Sequence, residues 1–327
     1  MERRVSPWLL LVVLLVAAAS GRNARADPQV PCYFVFGDSL VDNGNNNDIA
    51  SLARANYPPY GIDFPGGATG RFSNGLTTVD AISRLLGFDD YIPAYAGANN
   101  DQLLSGVNFA SAAAGIRDET GQQLGQRISF GGQLQNYQAA VQQLVSILGD
   151  EDSAADHLSQ CIFTVGMGSN DYLNNYFMPT VYSTSRQYTP EQYADVLVSQ
   201  YTQQLRILYN NGARKVALMG VGQVGCSPNE LAQQSSDGVT CVARINGAIE
   251  IFNRLTELTK GCCGVGRNNG QVTCLPFQTP CANRNEYLFW DAFHPTEAAN
   301  ILVGRRAYSA AQPSDVHPVD LQTLARL

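Results

Sequence analysis

A run of four apolar residues, Tyr33–Phe36, constrains the fold more than any other feature of the chain. Pro31 lies just before it, Gly37 follows it, and apolar and polar residues do not alternate within it. A continuous apolar run of this length is typical of a strand that is buried on both faces, as in a parallel sheet. The residues after Gly37 are rich in Asp, Asn and Gly, which favour turns. The run therefore predicts a central strand followed by a turn that contains Ser39.

Similar apolar runs recur along the chain, and each ends in small or polar residues. The segments 161–165 and 216–219 predict two further strands, and 106–115 predicts a short strand that runs into a turn of small residues. Apolar residues at helical spacing predict helices over residues 76–87, 134–149, 189–212, 242–258 and 295–308. Strands that alternate with helices predict an α/β fold with a doubly wound, mainly parallel sheet and right-handed crossovers.

The first 26 residues predict a secretory signal peptide. A basic start is followed by twelve apolar residues from Trp8 to Ala19 and by a small-x-small cleavage site at Ala24–Ala26. Twelve residues are too few to span a bilayer as a helix. The remaining residues, 27–327, are numerous enough to bury one large core, so we expect a single domain there, secreted and not integrated into a membrane.

The charge of the chain argues against some classes of partner. The net charge is −7, and residues 1–26 contain four Arg and one Glu, so the rest of the chain is more acidic still. An acidic body without a basic run disfavours binding to nucleic acid and electrostatic attraction to anionic lipid.

The eight cysteines favour disulfides over a metal site, because an exported chain passes through an oxidising compartment. Cys226 and Cys241 flank a polar loop, and four more cysteines crowd residues 262–281. Cys32 and Cys161 each begin an apparent strand and either pair or stay free. No His lies at zinc-ligand spacing, and the Asn-rich segment after Asp42 lacks the terminal Glu of a calcium loop, so we expect no metal and no cofactor.

The segment around His294 is the best candidate for acid–base chemistry. Asp291 lies three residues before His294, aromatic residues surround both, and Pro295 begins a predicted helix. Such a turn lets the carboxylate reach the imidazole Nδ1–H, which leaves Nε2 free as a base. The other histidines are less promising, since His157 is expected on a polar helix surface and His317 in the polar C-terminal tail.

Four segments, in order, resemble the plant GDSL esterase/lipase family of the SGNH hydrolase superfamily. They are FGDSLVDNGNNN from residue 36, VNFASAAAGI from 107, GSND from 168 and WDAFHPTEAAN from 290. One such tetrapeptide would be a weak signal, but four in the right order are specific, and together they extend through nearly all of residues 27–327. The resemblance implies a three-layer αβα, flavodoxin-like sandwich and an extracellular location in the apoplast or cell wall.

The resemblance also implies roles for individual residues. Ser39 would be the nucleophile, His294 the general base and Asp291 the group that orients it. The oxyanion hole would comprise the backbone N–H groups of Ser39 and Gly115 and the side-chain amide of Asn170. These roles agree with the physics, because a serine hydroxyl becomes a good nucleophile only when an adjacent base takes its proton. Ser39 is not in a G-x-S-x-G elbow, so the α/β-hydrolase fold is not expected.

The chain departs from the family pattern in one region. Family members usually have a further strand and several turns of chain between the helix at 242–258 and the Asp-x-x-His turn, whereas here that helix leads directly into a Gly- and Cys-rich segment. A few dozen residues are therefore expected to be missing, including the usual fifth edge strand. The loss would expose the strand at 216–219 as an edge.

Three functions remain open from the sequence. The first is a secreted serine hydrolase that cleaves acyl esters of small molecules, lipids or polysaccharides through an acyl-enzyme. The second is an acyltransferase in which an alcohol replaces water, as in cutin-building relatives. The third is a secreted binding protein that keeps the triad but has lost activity with the missing segment. Two polar stretches, 99–105 and 118–130, are expected either to line the pocket or to be surface loops.

Overall fold

A computed structural model describes residues 27–256, together with residues 263, 275, 278–281, 284 and 309. The predicted signal peptide, Asp291, His294, His317 and the predicted helix at 295–308 lie outside these residues. The described residues fall into two compact units. The first is the described part of Met1–Ser183 with Gln200–Met219, and the second is Thr184–Ser199 with the described part of Gly220–Leu327. The single domain expected over 27–327 stays a prediction.

The first unit contains a three-stranded parallel sheet. Its strands are β1 (Tyr33–Gly37), β2 (Ile162–Gly166) and β3 (Lys215–Leu218), and β2 lies in the middle. Gly37 is paired with Gly166, so β1 and β2 end at the same edge of the sheet. The α/β fold with a parallel sheet is thus confirmed.

The short strand expected at the start of 106–115 is wrong as a member of this sheet, whereas the turn of small residues expected after it is present at residues 112–113. The segment touches β1 through single backbone bonds: Val35 N–H donates to the Val107 carbonyl at 3.2 Å and Phe109 N–H donates to the Val35 carbonyl at 2.8 Å. Only one isolated parallel bridge, Val35 to Asn108, joins it to β1. The segment is extended, but it turns away after a few residues because the small residues that follow fold back over the end of β1.

Helices are present in both units. Their bounds are α1 Thr78–Leu85, α2 Asn100–Ser105, α3 Phe130–Leu148, α4 Glu151–Gln160, α5 Ser169–Asp171, α6 Thr184–Gln187, α7 Pro190–Asn210, α8 Pro228–Gln234 and α9 Ala243–Thr256. A 3₁₀ turn spans Gln122–Leu124 and a π-helical turn spans Tyr172–Tyr176. The polar stretch at 99–105 is therefore mostly helical, with Asn99 as its N-cap.

Local capping signals fix the helix ends, as the sequence predicted. At the start of α7, Thr189 N–H donates to Gln192 Oε1 at 3.0 Å and Gln192 N–H donates to Thr189 Oγ1 at 3.3 Å, which is a capping box. Gly149 follows α3 with a φ of 102°, a conformation in which glycine avoids the strain of a side chain.

The core of the first unit is built around β1. Its aromatic rings pack on one another and on α3, with ring centroids 5.0–6.3 Å apart in the β1 contacts. The rings belong to Phe34, Phe36, Phe109, Phe130, Tyr137 and Phe163. Burial of these rings holds α3 and the 107–111 segment against the strand that leads to Ser39.

Two disulfides pair cysteines that the sequence left open. Cys32 is bonded to Cys161 at the starts of β1 and β2, and Cys226 is bonded to Cys241 across a polar loop.

His157 was expected on a solvated surface but is half-buried, and its Nε2 lies 3.0 Å from the Leu104 carbonyl oxygen. Among the described residues, no helix has the length and apolar character needed to cross a bilayer.

Candidate active site

Three segments meet at the carboxyl edge of the sheet, where α/β proteins place their ligands. Ser39 follows β1 by two residues, Asn170 follows β2 by four, and Gly115 ends the segment that runs beside β1. Ser111 N–H donates to the Gly37 carbonyl at 3.1 Å, which holds that segment against the end of β1. The fold therefore brings these three predicted residues to one place.

A buried glutamine fixes the end of β1. Gly37 N–H donates to Gln133 Oε1 at 3.1 Å, and Gln133 Nε2 donates back to the Gly37 carbonyl at 2.8 Å. A Cβ atom at position 37 would lie 2.5 Å from Val41 Cγ2, so a larger residue there would force Val41 to move. The turn then closes through Val41 N–H and Asp42 N–H, which both donate to the Asp38 carbonyl. Ser39 is half-buried in this turn.

Asp38, directly before Ser39, is buried beneath the turn. Its Oδ1 accepts the Leu40 N–H at 3.0 Å, and its Oδ2 lies 3.4 Å from Asn170 Nδ2. Burial, with a smaller contribution from the nearby Asp171 carboxylate, raises the pKa of Asp38 to about 6, against the lowering effect of the Leu40 N–H. The carboxylate thus joins the Ser39 turn to Asn170.

The Asn-rich loop after Ser39 is tied to the 107–112 segment. Asp42 Oδ2 accepts the Ala112 N–H at 2.8 Å, and Asn45 Nδ2 donates to the carbonyls of Asn108 and Ala110 at 2.8 and 2.7 Å. Asp42 Oδ1 accepts the N–H groups of Gly44 and Asn45 within the loop itself. The loop after Ser39, which was predicted to form turns, therefore holds the 107–116 motif beside the motif that contains Ser39.

Gly115 lies where no larger residue fits. A Cβ atom there would be 2.4 Å from Thr120 Cγ2 and 2.7 Å from Asp171 Oδ1. Asp171 is itself buried, and its carboxylate accepts the N–H groups of Ile116 and Arg117 at 2.8 and 3.1 Å and the Thr120 hydroxyl at 2.8 Å. Burial raises the pKa of Asp171 to about 6. Asp171 therefore shapes the backbone that follows Gly115.

Asn170 is almost fully buried, with 6% of its surface exposed. Its Nδ2 donates to the Ala114 carbonyl at 2.9 Å and lies 3.4 Å from Asp38, while its Oδ1 accepts from Asn174 Nδ2 at 2.7 Å. The amide nitrogen of Asn170 is therefore placed between the residue before Gly115 and the residue before Ser39. A neutral N–H donor at this position can stabilise negative charge that develops on a bound substrate.

Some supporting residues were not predicted from sequence. Asp38 and Asp171 lie inside recognised motifs, next to Ser39 and Asn170, but received no role. Gln133 lies in a helix and carries no local signal, because its function depends on contact with a distant strand end. Asp291 and His294 fall outside the described residues, so their roles stay predictions.

One group of metal-ligand side chains comes together among the described residues. Cys32, His157 and Cys161 place their ligand atoms within 4.8 Å of one another. The two cysteines are joined in a disulfide, so neither has a thiolate to offer a metal. The cluster is a disulfide beside a histidine.

Comparison with known proteins decides the family. The family model for GDSL-like lipases and acylhydrolases matches residues 33–307. The chain belongs to this family. Three GDSL esterase/lipases of Arabidopsis thaliana are 58%, 56% and 58% identical to it, and the matches cover 98–100% of this chain and 99–100% of each relative. Family membership makes the chain, by class, a hydrolase of carboxylic esters.

The same comparisons support the expected internal shortening of this family member. Two of these matches cover 100% of the chain over 365 aligned positions, although the chain has 327 residues, so at least 38 positions have no residue of this chain opposite them. The number agrees with the few dozen residues that the sequence pattern lacks before Gly261.

Proposed function

We propose that this protein is a secreted serine esterase or lipase that hydrolyses acyl esters through a Ser–His–Asp triad and an acyl-enzyme. The observation that carries the proposal is the position of the Asn170 amide nitrogen, 2.9 Å from the Ala114 carbonyl and 3.4 Å from the Asp38 carboxylate. It supports a common site for Asn170, Gly115 and the Ser39 turn. Family membership supports the same reaction class.

The proposed reaction begins at Ser39. His294, oriented by Asp291, takes the hydroxyl proton while Oγ attacks the carbonyl carbon of the ester. The negative charge on the carbonyl oxygen would be stabilised by the N–H groups of Ser39 and Gly115 and by Asn170 Nδ2. Protonated His294 then gives its proton to the leaving alcohol, and a water activated by the same histidine releases the acid.

Secretion is part of the proposal. The basic, apolar and small-residue order of residues 1–26 is that of a cleaved export signal. The disulfides Cys32–Cys161 and Cys226–Cys241 support it, because such bonds persist in oxidising compartments. For a plant-type member of this family the destination would be the apoplast or cell wall, where small-molecule, lipid and polysaccharide esters are available.

The test is hydrolysis of p-nitrophenyl acetate and butyrate by the secreted protein beside Ser39→Ala. We expect a rate that depends on Ser39 and a drop of about 10³-fold or more in the variant, since the nucleophile is lost. Circular dichroism of both proteins must show the same fold. A folded wild type that is no faster than the variant, and that a serine-reactive phosphonate fails to label, would contradict the proposal and favour the secreted binding protein.

A further inference from the structure

A relay of side-chain hydrogen bonds starts at the Oδ1 atom of Asn170, while Nδ2 faces Ala114 and Asp38. Asn174 Nδ2 donates to Asn170 Oδ1 at 2.7 Å, and Gln123 Nε2 donates to Asn174 Oδ1 at 2.7 Å. The Tyr182 hydroxyl bonds to Gln123 Oε1 and to the Glu119 carbonyl. Asn170, Asn174, Gln123 and Tyr182 thus form a continuous relay within the first unit.

Chemistry at the front of the relay sets its direction. The Ala114 carbonyl can only accept a hydrogen bond, so the Asn170 atom that faces it at 2.9 Å must be the nitrogen. Asn170 Oδ1 then points backwards and requires a donor, which Asn174 supplies. Asn174 Oδ1 in turn requires the nitrogen of Gln123.

The other end of the relay is compatible with this direction. Gln123 Oε1 and the Glu119 carbonyl oxygen both accept, and the Tyr182 hydroxyl, which has a single proton, can donate to either of them. Each amide of the relay has one orientation that satisfies both of its neighbours. Reversal of any one amide sets two oxygens, or two N–H groups, against each other.

The backbone holds these side chains in place. Asn174 lies four residues after Asn170, inside the π-helical turn Tyr172–Tyr176, where its φ of −109° and ψ of 27° depart from helical values. Turns of this kind are rare and often mark functional sites. The Gly121 N–H donates to the Asn174 carbonyl at 3.2 Å and so docks the 3₁₀ turn of Gln123 beside the π-helical turn.

We propose that Asn174, Gln123 and Tyr182 are positioning residues that hold the Asn170 amide with its nitrogen towards the oxyanion. The inference rests on the proposed function, in which Asn170 Nδ2 stabilises that oxyanion. Without the relay, only the Ala114 carbonyl and the Asp38 carboxylate would hold the nitrogen on this side, so the reversed amide, whose oxygen would repel the developing charge, would be less strongly disfavoured. A fixed donor needs no reorientation as the transition state forms, which is the advantage of a preorganised site.

Asn174→Asp tests the relay with little change in shape. The ionised carboxylate of this variant accepts from Gln123 but cannot donate, so it sets an oxygen against Asn170 Oδ1 and favours the reversed amide. With p-nitrophenyl butyrate we expect kcat to fall by about 10²-fold, the loss typical of one oxyanion donor, and KM to stay within about twofold. Asn229→Asp, at an exposed position, is the control for the added charge.

The pH dependence of kcat for Asn174→Asp distinguishes a positioning role of this residue from a general effect on packing. When the carboxyl group introduced by Asn174→Asp is protonated, its hydroxyl can donate to Asn170 Oδ1, so acid should restore the orientation. We expect the ratio of the variant kcat to the wild-type kcat to rise as the pH falls. Asp38, which contacts Asn170, is present in both proteins, as are Asp171, three residues before position 174, and Glu119, beside Tyr182, so their own titration cancels from the ratio. Their coupling to the new carboxyl group does not cancel, but it favours the protonated form of that group and so acts in the expected direction. A general loss of packing would leave the ratio flat.

A second pair of variants tests the middle of the relay. Gln123→Glu replaces the donor that faces Asn174 Oδ1 with an acceptor, so we expect kcat to fall by about tenfold. Gln122→Glu adds the same charge at an exposed position in the same turn, and we expect it to leave kcat unchanged. If Asn174→Asp and Gln123→Glu fold and match the wild type at every pH, the relay has no positioning role and the proposed function stands. If the wild type is no faster than Ser39→Ala, the proposed function itself is wrong, and the positioning role with it.

Discussion

The two outer strands of the sheet, β1 and β3, are packed in opposite ways. All five residues of β1 are buried, whereas all four residues of β3 are exposed, including the apolar Val216 and Leu218 at 40% and 41%. The 107–111 segment covers the outer side of β1, and no strand covers the outer side of β3 among the described residues. The candidate active site is built on the well-packed side of the sheet.

The difference shows what a shortened chain can keep. Loss of the expected fifth strand would remove contacts beside β3, while Ser39, Gly115 and Asn170 depend on β1, β2 and the loops that fold over their ends. The described part of the site would therefore survive the loss. The following predictions test how strongly the two sides differ.

The largest effect is expected at Gly106, where the 107–111 segment begins. A Cβ there would lie 2.2 Å from the Tyr33 carbonyl oxygen, and Gly106 has a φ of 94°. Gly106→Ala must push the segment away from β1, so we expect a loss of more than about 4 kcal/mol of unfolding free energy, or failure to fold. Chemical denaturation or, failing expression, the soluble yield measures it.

Gly97→Ala is the matched control for that change. Gly97 has nearly the same φ, 92°, but no atom within 4 Å of its added Cβ. Only the backbone strain should remain, which amounts to about 1–2 kcal/mol. Equal effects of the two substitutions would mean that close contact with β1 is unimportant.

The sequence predicted much of this fold because its signals are local. Buried-strand runs, the capping box at Thr189 and the glycine after α3 each depend on a few neighbouring residues. The start of the 106–115 segment was expected to form a strand because Val107 and Phe109 favour strands, but strand pairing depends on hydrogen bonds to a distant partner. Composition cannot reveal that only a single bridge to β1 forms.

The candidate site was predictable where it lies in motifs and not elsewhere. Ser39, Gly115 and Asn170 were found from their motifs, although Gly115 turned out to be required also by packing against Thr120. The 118–130 stretch has no periodicity, so nothing in the sequence pointed to Gln123 as a partner of Asn174. Buried side-chain contacts between segments that are far apart in the chain become visible only in the fold.

The buried carboxylate at the end of β1 predicts a pH-dependent effect. Burial raises the pKa of Asp38 from 3.8 to about 6. An acid with a raised folded-state pKa stabilises the fold fully below its ordinary value and loses that contribution as the pH rises through the raised value. Relative to Asp38→Asn, which cannot ionise, the wild type should therefore lose up to about 3 kcal/mol between pH ~4 and pH ~7.

Denaturation of both proteins at several pH values measures this difference. Asp48→Asn, in the same loop but on an exposed side chain, is the control and should leave the pH dependence of the wild type intact. A difference between the wild type and Asp38→Asn that does not change with pH would mean that Asp38 keeps its ordinary pKa in the fold.

The smallest change in unfolding free energy is expected when the same substitution, valine to alanine, is made on each of the two outer strands. Val35 in β1 is fully buried, while Val216 in β3 is 40% exposed. Val35→Ala removes two buried methyl groups from a packed core, so we expect a loss of about 2–3 kcal/mol. Val216→Ala should lose less than about 1 kcal/mol, because much of that side chain is already in water.

Both substitutions reduce strand propensity by the same change of residue, so the contrast between them reports mainly on burial. Denaturant midpoints of the wild type and the two variants, each measured at the same two or more protein concentrations, measure this contrast. If Val216→Ala lost as much as Val35→Ala, the outer side of β3 would be covered in solution, and the contrast between the two strands would disappear. If the loss caused by Val216→Ala grew with protein concentration, a second copy of the chain would be covering β3. Association between copies stabilises the fold more at higher concentration, so a substitution in their interface would then cost more.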